Sequence, residues 1–69
     1  MTPAQARVLD ALRKVTADGW PASVREVGDA VGHASPSTTH MMLRDLERLG
    51  LAVQHPRRPV GGWLPLTPA

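Results

Sequence analysis

The chain has 69 residues and a mass of 7.4 kDa, enough for one small domain and no more. It contains no cysteine, which excludes a disulfide framework and thiolate metal sites. No apolar run approaches the roughly 20 residues of a membrane span, and the N-terminus lacks the pattern of a secretory signal peptide. We therefore expect a cytoplasmic protein with a single domain over residues 1–69.

The excess positive charge lies near the C-terminus. The formal net charge is +2, from eight Lys/Arg and six Asp/Glu. Residues 1–54 carry six basic and six acidic residues, whereas residues 55–69 carry Arg57 and Arg58 and no acid. A basic segment on a neutral body suits a phosphate-binding element, and it suits an ordinary solvated turn as well.

The first predicted helix covers residues 3–17. Thr2 provides a hydroxyl N-cap, proline follows at the first helical position, and Gln5 stands where a capping box requires it. The pattern ends before Asp18-Gly19, which is a stop signal. The apolar residues at helical spacing, expected to face the core, are Val8, Leu9, Leu12 and Val15.

A short second helix is predicted over residues 24–31. Ser23 and Glu26 form another capping box, and Gly32 follows the helix at a position that favours positive φ. Gly28 lies inside this helix, where glycine lowers helix propensity, so we expect it to allow the close approach of another helix. The apolar stripe of this helix comprises Val24, Val27 and Val31.

A third helix is predicted over residues 36–49, with Ser35 as N-cap and Pro36 at the first position. Only four residues, one of them glycine, separate it from the second helix, which is the outline of a helix-turn-helix. The third helix is expected to turn Thr39, Met42, Leu43 and Leu46 inward, and Leu49 follows them at helical spacing.

A β-hairpin is predicted over residues 51–66. The β-favouring run at 51–54 and the apolar run around Trp63 flank a turn in which two prolines bracket Arg57 and Arg58. The segment Trp20-Pro21-Ala22 could add a third short strand. The order of elements predicts a mainly α fold with a small β-hairpin, namely a winged helix-turn-helix with three helices and a wing.

The third helix presents a polar face that suits DNA. A helix-turn-helix places the N-terminal part of its second helix in the major groove, and residues 35–44 of this chain contain no acid. We expect base-reading contacts from Ser37, Thr38, His40, Met41 and Arg44. Ser35 is a candidate for backbone contact, although Ser35 and Pro36 are explained equally well as helix caps.

Three arginines are candidates for contact with the DNA backbone. Arg57 and Arg58 would lie over a phosphate strand or enter a minor groove, and their alternative is a solvated turn. Arg25 could contact the backbone or pair with Asp29 four residues later.

The sequence offers no pattern of an enzyme. His33, His40 and His55 lack the spacing and carboxylate partners of a zinc site. Gly61-Gly62 has no strand–loop–helix context for binding phosphates, and no hydroxyl is paired with a base as a nucleophile would be. We expect no catalytic residue, no metal and no cofactor.

Several ordered stretches resemble the LexA family of SOS repressors, and the similarity extends over residues 2–53. The stretches are Thr2-Pro-Ala-Gln-Ala-Arg-Val-Leu9, Gly19-Trp-Pro-Ala-Ser-Val-Arg-Glu-Val-Gly28, Ala30-Val-Gly32, Ser35-Pro-Ser-Thr-Thr-His40 and Leu43-Arg-Asp-Leu-Glu-Arg-Leu-Gly50. The resemblance is to the Gram-positive and actinobacterial branch. It implies a winged-helix domain that reads a palindromic operator as a dimer, with Ser35, Ser37, Thr38, His40 and Met41 in the base-reading stretch and residues 55–59 in the wing.

The chain departs from that family in two respects. LexA repressors carry a second domain with an Ala-Gly cleavage site and a Ser/Lys dyad, which also forms the dimer, whereas the only lysine here is Lys14 in the first helix. We therefore expect no self-cleavage and no dimerisation by that route, as in a complete small protein of LexA-domain type or a fragment of a longer repressor. The segments 56–59 and 61–65 also differ from the family's usual wing.

Two other functions fit a winged helix. A protein-interaction module would expose an apolar patch, for which Trp63, Leu64, Leu66 and Met41 are the candidates. A small architectural accessory factor would bind and bend DNA. The primary expectation is a sequence-specific transcriptional regulator, a repressor that binds double-stranded DNA as a homodimer on the operator or with a partner protein.

Overall fold

The computed structural model describes residues 1–55 and 62–66. Within them, three helices precede two short antiparallel strands: α1 Pro3–Val15, α2 Val24–Val31, α3 Pro36–Arg48, β1 Ala52–Gln54 and β2 Trp63–Pro65. This order and pairing confirm the predicted fold class, a mainly helical winged helix-turn-helix. The predicted tip of the wing, with Arg57 and Arg58, lies outside the described residues.

The first two helices begin at complete capping boxes. In α1 the backbone N–H of Gln5 donates to the Thr2 hydroxyl at 3.1 Å, and the Thr2 N–H donates to the Gln5 side chain at 2.9 Å. Ser23 and Glu26 make the same reciprocal pair at the start of α2. These bonds satisfy backbone donors that the first turn of a helix otherwise leaves open.

Helix α1 ends at Val15, two residues before the predicted end. The next residue, Thr16, has left helical geometry, and its hydroxyl donates back to the carbonyl of Leu12. The Asp18 carboxylate then accepts the backbone N–H of Trp20 at 3.0 Å, which turns the chain toward α2.

Helices α2 and α3 meet at Gly28. A Cβ atom built on Gly28 would lie 2.8 Å from the Thr39 hydroxyl, so only glycine allows this approach without displacing a neighbour. The predicted role of Gly28 in close packing is thus confirmed. Gly32 ends α2 with φ 78°, the left-handed geometry of a helix C-terminus, and the following His33 N–H donates to the Gly28 carbonyl at 2.9 Å.

The core is formed by one face of each helix together with β2. Trp63 is fully buried, and its backbone is held on both sides: it pairs with Gln54 of β1 and exchanges two hydrogen bonds of 2.8 and 2.9 Å with Ala22. The predicted third strand is therefore a single bridge at Ala22. The other buried apolar residues are Val8, Leu9, Ala11, Leu12, Ala22, Val27, Leu43, Leu46 and Ala52.

The burial of two large apolar residues bears on the sequence pattern. Leu49, which follows the apolar residues of α3 at helical spacing, is 52% exposed because the helix ends at Arg48 and the chain turns away at Gly50. Trp63, a candidate for the apolar patch that a protein-interaction module would expose, is 0% exposed because the bridge to Ala22 places its side chain in the core. That patch is thereby reduced to Leu66 and Met41, which are exposed, and Leu64, which is half-buried.

Candidate nucleic-acid interface

The side chains of α3 lie on one buried side and one exposed side, as the sequence pattern predicts. Thr39, Leu43 and Leu46 are fully buried against the other helices. The opposite side consists of exposed residues and is called here the outer face of α3: Ser37, Thr38, His40, Met41 and Arg44. All five predicted base-reading residues therefore lie together on one accessible surface, and Met41 is 67% exposed.

Acidic groups are confined to the C-terminal half of α3. Its acids are Asp45 and Glu47, and both are half-buried and paired. Asp45 accepts a hydrogen bond from Arg48 at 3.3 Å, and Glu47 accepts one from Arg44 at 3.1 Å. The first two turns of the helix thus carry no negative charge that would repel a phosphate backbone.

The ion pair of Arg44 was missed in the sequence analysis. The guanidinium of Arg44 is half exposed and contacts Glu47 three residues later. Exposed pairs of this kind contribute about 0–1 kcal/mol, so the guanidinium can exchange the carboxylate for another anion at little cost. The i,i+3 spacing of Arg44 and Glu47 was the available signal.

The N-terminus of α3 differs from the other two helix starts. Ser35 occupies the N-cap position, but its side chain makes no capping hydrogen bond. The predicted N-cap position of Ser35 and the first helical position of Pro36 are thus confirmed, but the capping bond of the Ser35 side chain is not formed. Its hydroxyl is exposed beside the first backbone N–H groups of a helix, a position that attracts anions.

Arg25 lies near this helix start. The alternative pairing with Asp29 is not formed, since the ion pairs of the described residues include none between these two exposed side chains. Arg25 and Ser35 instead line one open cleft of about 340 Å³ between α2 and the start of α3. Asp29 and His33 line the same cleft, so it contains one acid beside one arginine.

His33 connects the turn between α2 and α3 to both helices. Its Nδ1 lies 2.7 Å from the hydroxyl of the buried Thr39, and its backbone N–H is bonded to Gly28. The turn of the helix-turn-helix is therefore fixed to both helices. No sequence signal identified this contact, because it depends on how closely Gly28 lets the two helices approach.

The His40 ring, on the outer face of α3, contacts the ring of the core residue Trp63. The ring centroids of His40 and Trp63 are 6.3 Å apart and their planes are inclined by 74°, an edge-to-face arrangement. The indole Nε1–H of Trp63 is buried and has no hydrogen-bond partner in the part of the chain that the structure describes. This contact joins α3 to β2 directly beneath the outer face.

Comparison with known proteins identifies the family of this chain. The family model described as "LexA DNA binding domain" matches residues 1–61. The chain belongs to the LexA DNA-binding domain family. The resemblance noted from residues 2–53 is thereby confirmed and extended toward β2.

The relatives that this LexA-type domain matches carry the name LexA repressor. It is 47% identical over 60 residues to the LexA repressor of Mycolicibacterium vanbaalenii and to that of Mycobacterium tuberculosis. It is 43% identical over 60 residues to the LexA repressor of Pseudarthrobacter chlorophenolicus. Each match covers 86% of this chain and 24–26% of the relative, so the chain spans about a quarter of the length of these repressors. No solved structure was found to match it.

The described residues of this LexA-type domain contain no cluster of three or more His, Cys, Asp or Glu side chains that could hold a metal ion. None of the helices in the same ranges has the length and apolar character needed to cross a membrane.

Proposed function

We propose that this chain is a sequence-specific module for double-stranded DNA that acts in transcriptional repression. The carrying observation is the outer face of α3, where five exposed residues project from an acid-free stretch of a helix-turn-helix. Membership of the LexA DNA-binding domain family supports the same role. The role is one of binding, without catalysis.

In this proposal α3 enters the major groove and its outer face reads base edges. Ser37, Thr38 and His40 can donate or accept hydrogen bonds, and Met41 can contact a thymine methyl group. Arg44, released from Glu47, adds a cation at the far end of the same face. The mixture of hydroxyl, imidazole and thioether groups favours recognition of particular bases over contact with any phosphate.

Backbone contacts come from around this face. Arg25 and Ser35 line the cleft at the N-terminus of α3, where the backbone N–H groups and the helix dipole favour a phosphate. Arg57 and Arg58 of the wing are proposed to contact a second stretch of backbone. These groups set the position of α3 in the groove and do not themselves select a sequence.

Two copies are proposed to bind one palindromic operator. A single module of this size buries roughly 600–1,000 Å² on DNA, which supports only modest affinity. Two modules on adjacent half-sites, related by the two-fold axis of the operator, would bind more tightly. We expect the copies to meet on the DNA, and a stable free dimer in sedimentation would contradict this.

The test is a fluorescence anisotropy titration with a palindromic SOS-type operator and with a scrambled duplex of the same composition. We expect the operator to bind at least about tenfold more tightly. Affinity for both duplexes should fall between about 50 and about 200 mM salt, because phosphate contacts release counterions. Equal binding of the two duplexes would leave a non-specific DNA binder, and no binding at either salt concentration would refute the proposal.

A further inference from the structure

We infer that Trp63 is a positioning residue that sets how His40 is presented to DNA, so that β2 of the wing contributes to sequence selection without touching a base. This inference rests on the proposed function. Its basis is the edge-to-face contact between the two rings, with centroids 6.3 Å apart.

The two rings differ in their freedom to move. Trp63 is fully buried, and its backbone is fixed by Gln54 of β1 on one side and by Ala22 on the other. His40 projects from an exposed site on α3 and has no polar contact among the described residues. The indole is therefore the fixed partner, and contact with it restricts the rotamers that His40 can adopt.

Restricting the rotamers of the His40 imidazole favours the recognition of particular bases. A side chain held in its bound orientation loses less conformational entropy when it meets its target. Hydrogen bonds to base edges also depend on direction, so a fixed ring distinguishes donor and acceptor patterns better than a mobile one. Trp63 thus acts on specificity through His40, whereas positively charged groups act on affinity for every sequence.

The contact also joins two parts of the proposed interface. Trp63 begins β2, the strand that follows the arginine-bearing segment of the wing, and His40 lies on the outer face of α3. The wing and the reading helix therefore share one aromatic contact.

The test compares operator preference, defined as the ratio of affinities for the SOS-type operator and the scrambled duplex, across variants of the whole chain. Trp63→Met removes the ring but retains a flexible apolar side chain that can fill the core. Trp63→Phe keeps an aromatic ring at the same site. Leu12→Ala, in the core of α1, is the control for lost stability without loss of the ring contact.

We expect Trp63→Met to lower operator preference about two- to fivefold, which lies within the range that an aromatic pair contributes and does not exceed the loss expected when His40 itself is removed. Trp63→Phe should retain most of the preference, and Leu12→Ala should retain it once affinity is corrected for the folded fraction. In a His40→Ala background, Trp63→Met should cause no further loss, because the partner through which it acts is gone.

Nuclear magnetic resonance provides a readout that does not depend on DNA or on a variant that folds. In the wild-type chain, we expect nuclear Overhauser effects between the ring protons of His40 and Trp63, and couplings that report one dominant χ1 rotamer of His40. Absence of these signals, or unchanged preference in folded Trp63→Met, would overturn the inference while leaving DNA binding intact. Absence of operator preference in the wild-type chain would overturn the proposed function itself, and the specificity role with it.

Discussion

Helices α1 and α3 have the same length, 13 residues, and the same opening of a hydroxyl residue followed by proline, yet their first turns differ. In α1 the third helical position is Gln5, which completes a capping box with Thr2. In α3 that position is Thr38, and Ser35 makes no capping bond. The first turn of α1 is stabilised from within the chain, whereas the first turn of α3 keeps its polar groups available for an external ligand.

The distribution of charged residues also differs between α1 and α3. Helix α1 distributes exposed charges along its outer side, and Lys14 pairs with Asp10 at 3.0 Å. Helix α3 carries no charge before Arg44. The comparison indicates that the sequence of α1 serves folding, while the sequence of α3 gives up local stabilisation where the proposed DNA contacts lie.

The largest expected effect comes from giving α3 the acid that a capping box would use. Thr38→Glu should weaken DNA binding more than about tenfold, because it adds a negative charge where phosphates and base acceptors approach. It should leave stability unchanged or raise it by about 0.5 kcal/mol through the helix dipole. Anisotropy titration and urea unfolding measure the two effects.

The matched control for Thr38→Glu is Gln5→Glu, which adds the same charge at the same helical position of α1. DNA affinity should change less than about twofold, since Gln5 lines a cleft with Asp45 and Arg48 at the C-terminal end of α3 and not the cleft at its N-terminus, and the added charge is screened by salt. If the two variants weakened DNA binding equally, net charge alone would govern affinity and the division between the helices would be wrong.

The next largest effect is expected from the wing. Arg57→Ala combined with Arg58→Ala should weaken binding to operator and scrambled duplex alike, and should lower the slope of log affinity against log salt by about two. Removing the same charge from α1, with Arg13→Ala and Lys14→Ala, is the control and should leave the slope nearly unchanged. The alternative of a solvated turn predicts no difference between the two double variants.

His40→Ala should have a smaller effect and a different signature. Operator preference should fall about fivefold, at the lower end of what a base contact provides. The salt slope should stay almost unchanged, because the contact is to a base and not to a phosphate. A reduced slope with unchanged preference would reassign His40 to the backbone.

The smallest effect is on stability and compares the two N-caps directly. Thr2→Ala should lower the free energy of unfolding by about 1 kcal/mol, the usual contribution of a capping side chain. Ser35→Ala should cost less than about 0.3 kcal/mol, since Ser35 makes no such bond. Urea unfolding at one temperature measures both, and equal losses would show that Ser35 does cap α3 in solution.

Local features of the fold could be predicted from the sequence. The capping boxes at Thr2 and Ser23 depend on residues three positions apart, and the stop at Gly32 depends on a positive φ that glycine adopts easily. The close approach at Gly28 follows from the absence of a Cβ atom. Helical spacing also predicted which side of α3 is buried, with Thr39 inside and Met41 outside.

Features that depend on distant parts of the chain could not be predicted in the same way. Trp63 is buried because its strand bridges Ala22, a pairing over 41 positions of sequence that no local pattern encodes. The contact of His40 with Trp63 depends on that pairing as well, whereas the contact of His33 with Thr39 depends on how closely α2 and α3 approach at Gly28. The shared surface of the candidate site residues could therefore be predicted from local periodicity, whereas the contacts beneath them required the tertiary structure.

The most direct test of the central claim is to map the DNA-contacting surface. Backbone amide shifts of the isotope-labelled chain would be recorded by nuclear magnetic resonance during titration with the operator duplex. We predict that the largest changes fall at residues 35–44 and at Arg25, with little change along the outer side of α1 at Arg7, Asp10 and Lys14. Large amide-shift changes on α1, with none on α3, would contradict the proposal that α3 contacts the DNA.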